Sequence, residues 1–481
     1  MSNTTQALSR IEAILDDSSF VEIGAAVTAR ATDFNMQEKK APSDGVITGY
    51  GVVNGNLVYV YSQDAAVLGG TIGEMHAKKI ASLYEKAMKM GAPVIGLIDC
   101  AGLRLQEATD ALNGFGEIYK NMSLASGIIT QITAVYGECG GGLAVLAELS
   151  DFVFVEEKKA KLFVNSPNAL DGNYESKLDT SSAKFMAEAG VADFAGDEET
   201  IANGVRQLVS MLPSNNTEGT VCTDNQDDLN RVCADMAAEI ADPALALTDI
   251  SDDGVFVETK AEYAKEMVTG FILVDGVTVG AVANRTALYD ENGEKAEEFA
   301  PVLTTAGAYK AAEFVTFCNA FEIPVLTLTN IKGFEATVKS ERTIAKASAK
   351  LVYAFANADV PKVNVITGEA YGSAYVAMNS KSIGADMVYA WPQASIGMMD
   401  ASSAAKIMYA DDIAASKDAT ATINEKAAEY AALQSSVDQA AARGYVDTII
   451  NPEDTRKYVI AAFEMLFDKR EVRADKKHGT V

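Results

Sequence analysis

Three consecutive glycines, Gly140-Gly141-Gly142, are the residues of this sequence best suited to chemistry. They lie between an apolar, strand-like segment ending at Val135 and an apolar stretch with helical spacing that begins at Leu143. A glycine turn that opens a helix exposes unpaired backbone N–H groups, which can hold a phosphate or an oxyanion that develops during a reaction. The phosphate interpretation requires GxGxxG or a P-loop lysine, and the sequence has neither there. On the motif alone, a packing turn is the simpler interpretation.

The same turn occurs a second time, and this recurrence favours a chemical role. Gly137-Glu138 through Gly141 returns 231 residues later as Gly368-Glu369 through Gly372. At the same offset, the apolar segment around Val94 returns around Val325, and Gly102 returns as Gly333. A repeat of this length indicates two homologous domains rather than a solenoid. We therefore predict two oxyanion holes that serve two ligands or two ends of one reaction.

The elements around the turns alternate between strands and helices. An Asn54-Gly55 hairpin, a helix over 73–90 ending at Gly91, a buried strand from Val94 and a helix over 106–122 precede the first turn. This alternation predicts an α/β fold whose ligands bind beyond the carboxyl ends of the strands. A polar, turn-rich segment at 213–228 is the predicted linker. We therefore predict domains at residues 1–228 and 229–481.

Composition narrows the function classes. The net charge of −27 and the pI near 4.5 argue against nucleic acid or an anionic membrane as the main partner. Two histidines and five cysteines without CxxC spacing argue against a metal site, so we expect none. We find neither a signal peptide nor an apolar run long enough to span a bilayer, which predicts a cytoplasmic protein.

Several motifs resemble the carboxyltransferase subunits of biotin-dependent acyl-CoA carboxylases and decarboxylases. The resemblance covers roughly residues 8–470, and its motifs recur in order in both halves. They lie at residues 45–51, 61–64, 69–76, 91–97, 101–107, 137–142 and 389–392. Members of this family, such as the propionyl-CoA carboxylase beta and methylmalonyl-CoA decarboxylase alpha subunits, consist of two tandem crotonase-like domains. This agrees with the duplication read from the glycine turns.

The resemblance implies a role for each half. The N-terminal domain would bind the acyl-CoA thioester and stabilise its enolate, and the C-terminal domain would bind biotin carried on a separate protein. The implied backbone donors are Gly141 and Gly142 in the first half, and Ser373 and Ala374 in the second. Residues implied in ligand binding are Gly102, Arg104, Gly333, Phe334, Gly372 and Val376. The implied partners are a biotin carboxyl carrier protein and either a biotin carboxylase or a membrane decarboxylase subunit, and the implied assembly is a homohexamer.

The second half departs from the family pattern at two places. Ser373 stands where the family has a second glycine, although its N–H can still donate. The biotin-side loop, residues 331–336, keeps only the central Gly333-Phe334. These departures leave open a crotonase-like CoA-thioester enzyme that works without biotin. The sequence is also compatible with a subunit of a sodium-pumping methylmalonyl-CoA or glutaconyl-CoA decarboxylase, and with a non-catalytic scaffold.

Three charged residues have competing interpretations. Arg104 could meet a CoA phosphate or pair with Glu107. Lys89 lies in an Ala-Met-Lys-Met sequence like that around biotinylated lysines, but its predicted helical position favours an unmodified residue. For His76 we expect a structural hydrogen-bonding role.

Overall fold

The computed structural model describes residues 5–30, 33–219, 221–290, 292–471 and 479. These residues form two compact units. The first comprises residues up to Val221 with Lys260–Tyr263, and the second comprises Cys222–Thr259 and the residues from Ala264 onward. The division falls inside the polar segment 213–228. The functional boundary at residues 228 and 229 stays a prediction.

The first unit is an α/β layer structure built on one sheet. Its strands are β1 Val21–Ile23, β2 Val46–Val53, β3 Asn56–Gln63, β4 Val94–Cys100, β5 Gln131–Gly140, β6 Phe152–Glu156, β7 Lys161–Phe163 and β8 Phe194–Gly196. Its helices are α1 Gln6–Ile14, α2 Glu74–Met90, α3 Ala108–Ala125, α4 Gly142–Ala147, α5 Asn173–Ser176, α6 Ala183–Glu188 and α7 Glu198–Met211. Side chains of α2, α3 and α4 pack on the sheet to form the core.

The second unit contains an equivalent sheet and a separate two-stranded one. Its strands are β9 Phe256–Thr259, β10 Met267–Val274, β11 Val277–Asn284, β12 Ala287–Tyr289, β13 Lys295–Glu298, β14 Val325–Ile331, β15 Lys362–Tyr371, β16 Met387–Ala390, β17 Ser395–Gly397 and β18 Thr448–Ile449. The helices before the second turn are α8 Met236–Glu239, α9 Pro243–Ile250, α10 Thr305–Ala320, α11 Val338–Glu341 and α12 Ile344–Asn357. The later ones are α13 Gly372–Ala377, α14 Ala401–Met408, α15 Ala410–Ala415, α16 Ala419–Tyr430, α17 Val437–Ala442 and α18 Thr455–Leu466.

The two large sheets have the same topology. The strand order is β1-β2-β3-β4-β5-β6-β8 in one and β9-β10-β11-β14-β15-β16-β18 in the other, and β7 and β17 pair with β5 and β15. In each sheet the first three strands pair antiparallel and the following pairs are parallel. The duplication predicted from the glycine turns therefore extends to every strand of these sheets.

A register irregularity also recurs, and it accounts for the glycines at positions 137 and 368. It lies between Ile98 and Cys100 in β4, and at the equivalent place in β14. In the first unit, the intervening Asp99 folds over Gly137, where a Cβ would lie 2.0 Å from its Oδ1. In the second unit, Asn330 lies against Gly368, with 2.6 Å between the corresponding atoms. Glycine is needed at both positions because the neighbouring strand fills the space that a side chain would take.

A further equivalence joins the last helix of each unit to the end of an earlier helix, α1 in the first unit and α9 in the second. Arg206 on α7 donates to the carbonyl of Ile14 and to Asp16, and Asp16 in turn accepts from the hairpin turn at Gly55. In the second unit, Arg456 on α18 donates to the carbonyl of Ile250 and to Asp252, which accepts from Gly276. The arginine of each unit thus satisfies a carbonyl at the end of a helix and fixes a hairpin.

Replacing these two arginines with alanine should have unequal effects on stability. The Arg456 side chain is fully buried and that of Arg206 is 26% exposed. Arg456→Ala leaves Asp252 buried without its cation, which should cost about 3–5 kcal/mol, whereas Arg206→Ala should cost about 1 kcal/mol. Urea unfolding of both variants checks this, and equal losses would contradict the buried clamp.

Candidate active site

The loop after β4 is fixed by a backbone bridge to the segment before α2. The Ile72 N–H donates to the carbonyl of Gly102, and the Arg104 N–H donates to the carbonyl of Ile72, both at 2.9 Å. Because these bonds use the residues on either side of Leu103, the N–H and C=O of Leu103 point away from Ile72. This loop therefore presents the backbone of Leu103 on its free side.

The equivalent loop of the second unit has the same bridge. The Leu303 N–H donates to the carbonyl of Gly333, and the Glu335 N–H donates to the carbonyl of Leu303, again at 2.9 Å. Phe334 occupies the place of Leu103 and is 37% exposed. The Gly-Phe pair of the predicted biotin loop is thus positioned by backbone bonds.

The first glycine turn differs from the prediction in which N–H groups are open. Gly141 has φ +64° and ψ −127°, a conformation that favours glycine, and its N–H donates to the carbonyl of Phe163 at 2.8 Å. Gly141 therefore shapes the turn and is not a donor to a ligand, which corrects its predicted role. The first N–H groups of α4, those of Gly142 and Leu143, have no partner within the helix, and the residue before the helix supplies no side-chain cap.

The second turn contains a glycine of similar φ one repeat later. Gly372, the equivalent of Gly141, has φ +63°. Ser373 is exposed, like its equivalent Gly142, and Ala374 is buried, like its equivalent Leu143. As in the first unit, no side chain caps the start of the helix, here α13. Ser373 and Ala374, predicted as donors, thus correspond to Gly142 and Leu143.

In the first unit, the loop and the turn line one cleft of about 310 Å³. The structure therefore brings together Gly102 and Gly142, two of the predicted site residues. The walls are mainly apolar, which favours a small aliphatic group. The lining residues are Gly102, Leu103, Leu112, Phe115, Tyr119, Gly140, Gly142 and Leu143.

Aromatic packing, rather than backbone conformation, explains the glycine at position 142. A Cβ there would lie 2.5 Å from Cε1 of Phe115 and 2.9 Å from the Tyr119 hydroxyl oxygen. The Tyr119 hydroxyl also donates to the carbonyl of Gly142 at 2.5 Å. Sequence reasoning missed Leu103, Phe115 and Tyr119, because apolar and aromatic residues at helical spacing are indistinguishable from ordinary core.

The second unit can accept a serine because this wall is smaller there. The buried positions of α3 recur in α12 at an offset of 233 residues, so Ser348 takes the place of Phe115. Helix α12 packs directly against α13, which carries Ser373. The departure at Ser373 thus goes with the loss of a ring that would have collided with its Cβ.

Arg104 is a structural residue. It is 2% exposed, and its Nη1 lies 2.6 Å from Asp44 and 2.7 Å from Glu107. Asp44 and Glu107 also accept the N–H groups of His76 and Glu74 at the start of α2. The pairing with Glu107 is therefore observed, and the predicted contact with CoA phosphate is not retained because the guanidinium is buried. Glu335 stands at this position in the second unit.

His76 lies inside the same network. Its Nδ1 is 2.9 Å from the Asp44 carbonyl oxygen and its Nε2 is 3.2 Å from the amide nitrogen of Gln63. Since a carbonyl accepts and an amide nitrogen donates, the neutral ring carries its proton on Nδ1. Burial lowers the pKa of His76 to about 3.

Two other predicted positions are placed as follows. Val376 lies on α13, one turn after Ser373, and is half-buried. Lys89 is exposed in the last turn of α2, so the Ala-Met-Lys-Met sequence is helical and not a hairpin.

Comparison with known proteins identifies this architecture. The carboxyl transferase domain family matches residues 2–481. A methylmalonyl-CoA decarboxylase alpha subunit from Propionigenium modestum is 39% identical over 99% of this chain and 92% of its own. A propionyl-CoA carboxylase beta chain from Roseobacter denitrificans is 38% identical over 99% and 93%. A solved transcarboxylase 12S structure, described as a hexamer with hydrolysed methylmalonyl-coenzyme A bound, superposes with a TM-score of 0.91 at 35% identity, over 98% of this chain and 92% of that one.

The two sheets with their equivalent glycine turns are therefore tandem crotonase-like domains, as the resemblance implied. The chain belongs to the carboxyl transferase family and is a carboxyltransferase enzyme. Within the described ranges, no helix combines the length and apolarity that crossing a membrane requires.

The buried neutral His76 predicts a pH dependence of stability. Because its pKa is lower in the folded protein than the ordinary value near 6.5, its contribution is fully present above pH 6.5 and is lost as the pH falls toward 3. Between pH 6.5 and 5.5, the wild type should lose about 1 kcal/mol more unfolding free energy than His76→Gln. Chemical denaturation of both proteins at each pH measures this, and parallel pH curves would contradict it.

Proposed function

We propose that the enzyme transfers a carboxyl group between biotin, carried on a separate protein, and a short-chain acyl-CoA. The observation that carries this proposal is the pair of equivalent turns with open N–H groups, in a chain that matches the carboxyl transferase family end to end. Each turn serves one substrate. When the carboxyl group leaves one partner, negative charge develops on its carbonyl-type oxygen, and fixed backbone donors stabilise that charge.

In the first unit, the donors are the N–H groups of Gly142 and Leu143, with the Leu103 N–H from the other wall of the cleft. They would hold the thioester oxygen as it gains enolate charge. Phe115 lies so close to the turn that a side chain at position 142 would collide with it, so only a glycine backbone fits there. The biotin nitrogen, once freed of its carboxyl group, takes the α-proton, so no side-chain base is needed.

In the second unit, the donors are the N–H groups of Ser373 and Ala374, which would hold the ureido oxygen of biotin. Gly372 shapes this turn, and the loop at Gly333 and Phe334 forms the facing wall. The identical backbone bridge below the two loops supports this assignment.

The acyl group is small in this proposal. The cleft of the first unit has apolar walls and a volume of about 310 Å³. The relatives are named for propionyl-CoA and methylmalonyl-CoA. By the family resemblance, the second unit of a neighbouring protomer in the proposed hexamer would bring Val376 near the acyl group, and its aliphatic side chain favours hydrocarbon. A methylene more or less changes selectivity by only about 1–3 kcal/mol, so acetyl- and propionyl-CoA should both react.

The enzyme is proposed to work as a homohexamer with a biotin carboxyl carrier protein. The hexameric transcarboxylase 12S relative supports this assembly. Both units have exposed apolar side chains that contacts between protomers or with partners would bury, among them Leu105 at 87% and Met398 at 78% exposure. A biotin carboxylase or a membrane decarboxylase subunit would complete the complex, with the chain on the cytoplasmic side.

A second candidate is the alpha subunit of a decarboxylase, in which the same transfer runs from acyl-CoA to biotin. The similarity to methylmalonyl-CoA decarboxylase alpha subunits from Propionigenium modestum and Veillonella parvula favours it. The site chemistry is the same in both directions, and the associated subunits set the direction.

The proposed function is tested by incubating the purified protein with methylmalonyl-CoA and biotin. We expect propionyl-CoA to form only when biotin is present, and long-chain substrates to react more slowly. Thioester hydrolysis without biotin would instead indicate the crotonase-like thioester enzyme. Absence of both reactions, together with no acyl-CoA binding in calorimetry, would indicate a scaffold.

The N–H of Ser373, rather than its hydroxyl, should be required. Ser373→Gly keeps the N–H and should retain transfer, whereas Ser373→Pro removes it and should lower kcat by about 10²–10³-fold. Proline is tolerated in the first turn of a helix, so Ser373→Pro should remain folded. Circular dichroism checks the fold and the transfer assay checks the rate. Loss of activity in Ser373→Gly would instead make the hydroxyl catalytic.

A further inference from the structure

The second unit carries a cluster of basic residues beside the loop proposed to bind biotin. Five basic residues lie between positions 332 and 350, against two acidic ones, in a chain whose net charge is −27. Four of the five are exposed, and Lys350 is half-exposed. The members of this basic cluster are Lys332, Lys339, Arg342, Lys346 and Lys350.

The cluster is free to meet a partner. Among the residues that the structure describes, none of its five side chains forms an ion pair or a side-chain hydrogen bond. Elsewhere, many surface cations are paired, as in Lys381 with Asp447 and Lys161 with Asp179. Unpaired like charges in one place repel one another, and an anionic partner would relieve this repulsion.

Its position ties the cluster to the second site. Lys332 directly precedes Gly333, Lys339 and Arg342 lie in and just after α11, and Lys346 and Lys350 lie one turn apart on α12. Helix α12 packs against α13, the helix that carries Ser373. The cluster therefore borders the loop and is carried by the helices next to the turn of the proposed biotin site.

The first unit supplies an internal comparison. At the equivalent positions of α3, Arg342, Lys346 and Lys350 are replaced by Thr109, Asn113 and Glu117. A basic residue needed only for the fold would be expected in both copies. The positive charge of the basic cluster is therefore a feature of the second site that the first site does not share.

We propose that the basic cluster is the docking surface for the biotin carrier, and that the carrier presents an acidic surface around its biotinyl lysine. This rests on the proposed function. A protein with a net charge of −27 repels acidic partners over most of its surface, so a local basic surface would guide such a partner to the second site. Since the cluster is exposed, the attraction acts mainly on the rate of association and weakens with salt.

The test uses two synthetic peptides of equal length with a central biotinyl lysine, one flanked by Asp and Glu and the other by Lys and Arg. Uncharged biotin amide is the reference substrate. Transfer from methylmalonyl-CoA is measured for the wild type and for the double variant Arg342→Glu/Lys346→Glu. The matched control is Lys86→Glu/Lys89→Glu, which makes the same charge change at the end of α2 remote from the cleft.

For the wild type at low ionic strength, kcat/KM should be about tenfold or more higher with the acidic peptide than with the basic one, and the ratio should approach one in high salt. The double variant should reverse the preference and the control should keep it. Because the ratio is taken within each enzyme, partial misfolding cannot mimic the result.

Equal use of both peptides by the wild type would overturn the proposal. A raised KM for methylmalonyl-CoA in the double variant, with the peptide ratio unchanged, would instead assign the cluster to CoA phosphates. Loss of co-sedimentation with phosphatidylserine vesicles, again with an unchanged ratio, would assign it to a membrane. Failure of the wild type to transfer to biotin amide would refute the proposed function itself and is distinct from these outcomes.

Discussion

The site of each half depends on one constraint, the passage of a strand directly into a short helix through a glycine with φ near +60°. The first N–H groups of the helix have no partner within the helix, and no side chain caps them. In the first unit, the N–H of the turn glycine is held by the carbonyl of Phe163, so the open donors are those of the next two residues. The strands, loops and helices around the turn hold these donors in place.

Because of the duplication, the two proposed sites share one backbone framework, whereas the side chains around that framework differ. Both loops after the central strand are held by the same two backbone bonds, which do not depend on side chains. The side chains around these bonds have then diverged. Phe115 walls the first turn and requires glycine at position 142, whereas Ser348 leaves room for Ser373. Arg104 is buried between two carboxylates in the first unit, while Glu335 and the basic cluster lie in the second.

Local patterns in the sequence were sufficient for much of the architecture. Asn54-Gly55 predicted the hairpin between β2 and β3, Gly91 ended α2 as predicted, and the repeated glycines predicted two equivalent sheets. These features depend on conformations that few residues adopt, so the residue type reports them directly. Gly141 and Gly142 were predicted as the donor pair of the first half, but the N–H of Gly141 is already bonded, so the proposed pair is Gly142 and Leu143. Which N–H is open depends on Phe163, a residue on another strand that no local pattern includes.

The sequence by itself thus determined the fold class, the duplication, the family resemblance and the position of both turns. These features depend on residue types at fixed spacings along the chain, which the sequence shows directly. Only the tertiary structure decided the state of individual groups. From the sequence, Arg104 could either bind a phosphate or pair internally, and in the folded protein its guanidinium pairs with Asp44 and Glu107. Gly142 could be a conformational glycine until Phe115 was found against it. The physical reason is that burial, protonation and hydrogen-bond occupancy depend on neighbours brought together from distant parts of the chain.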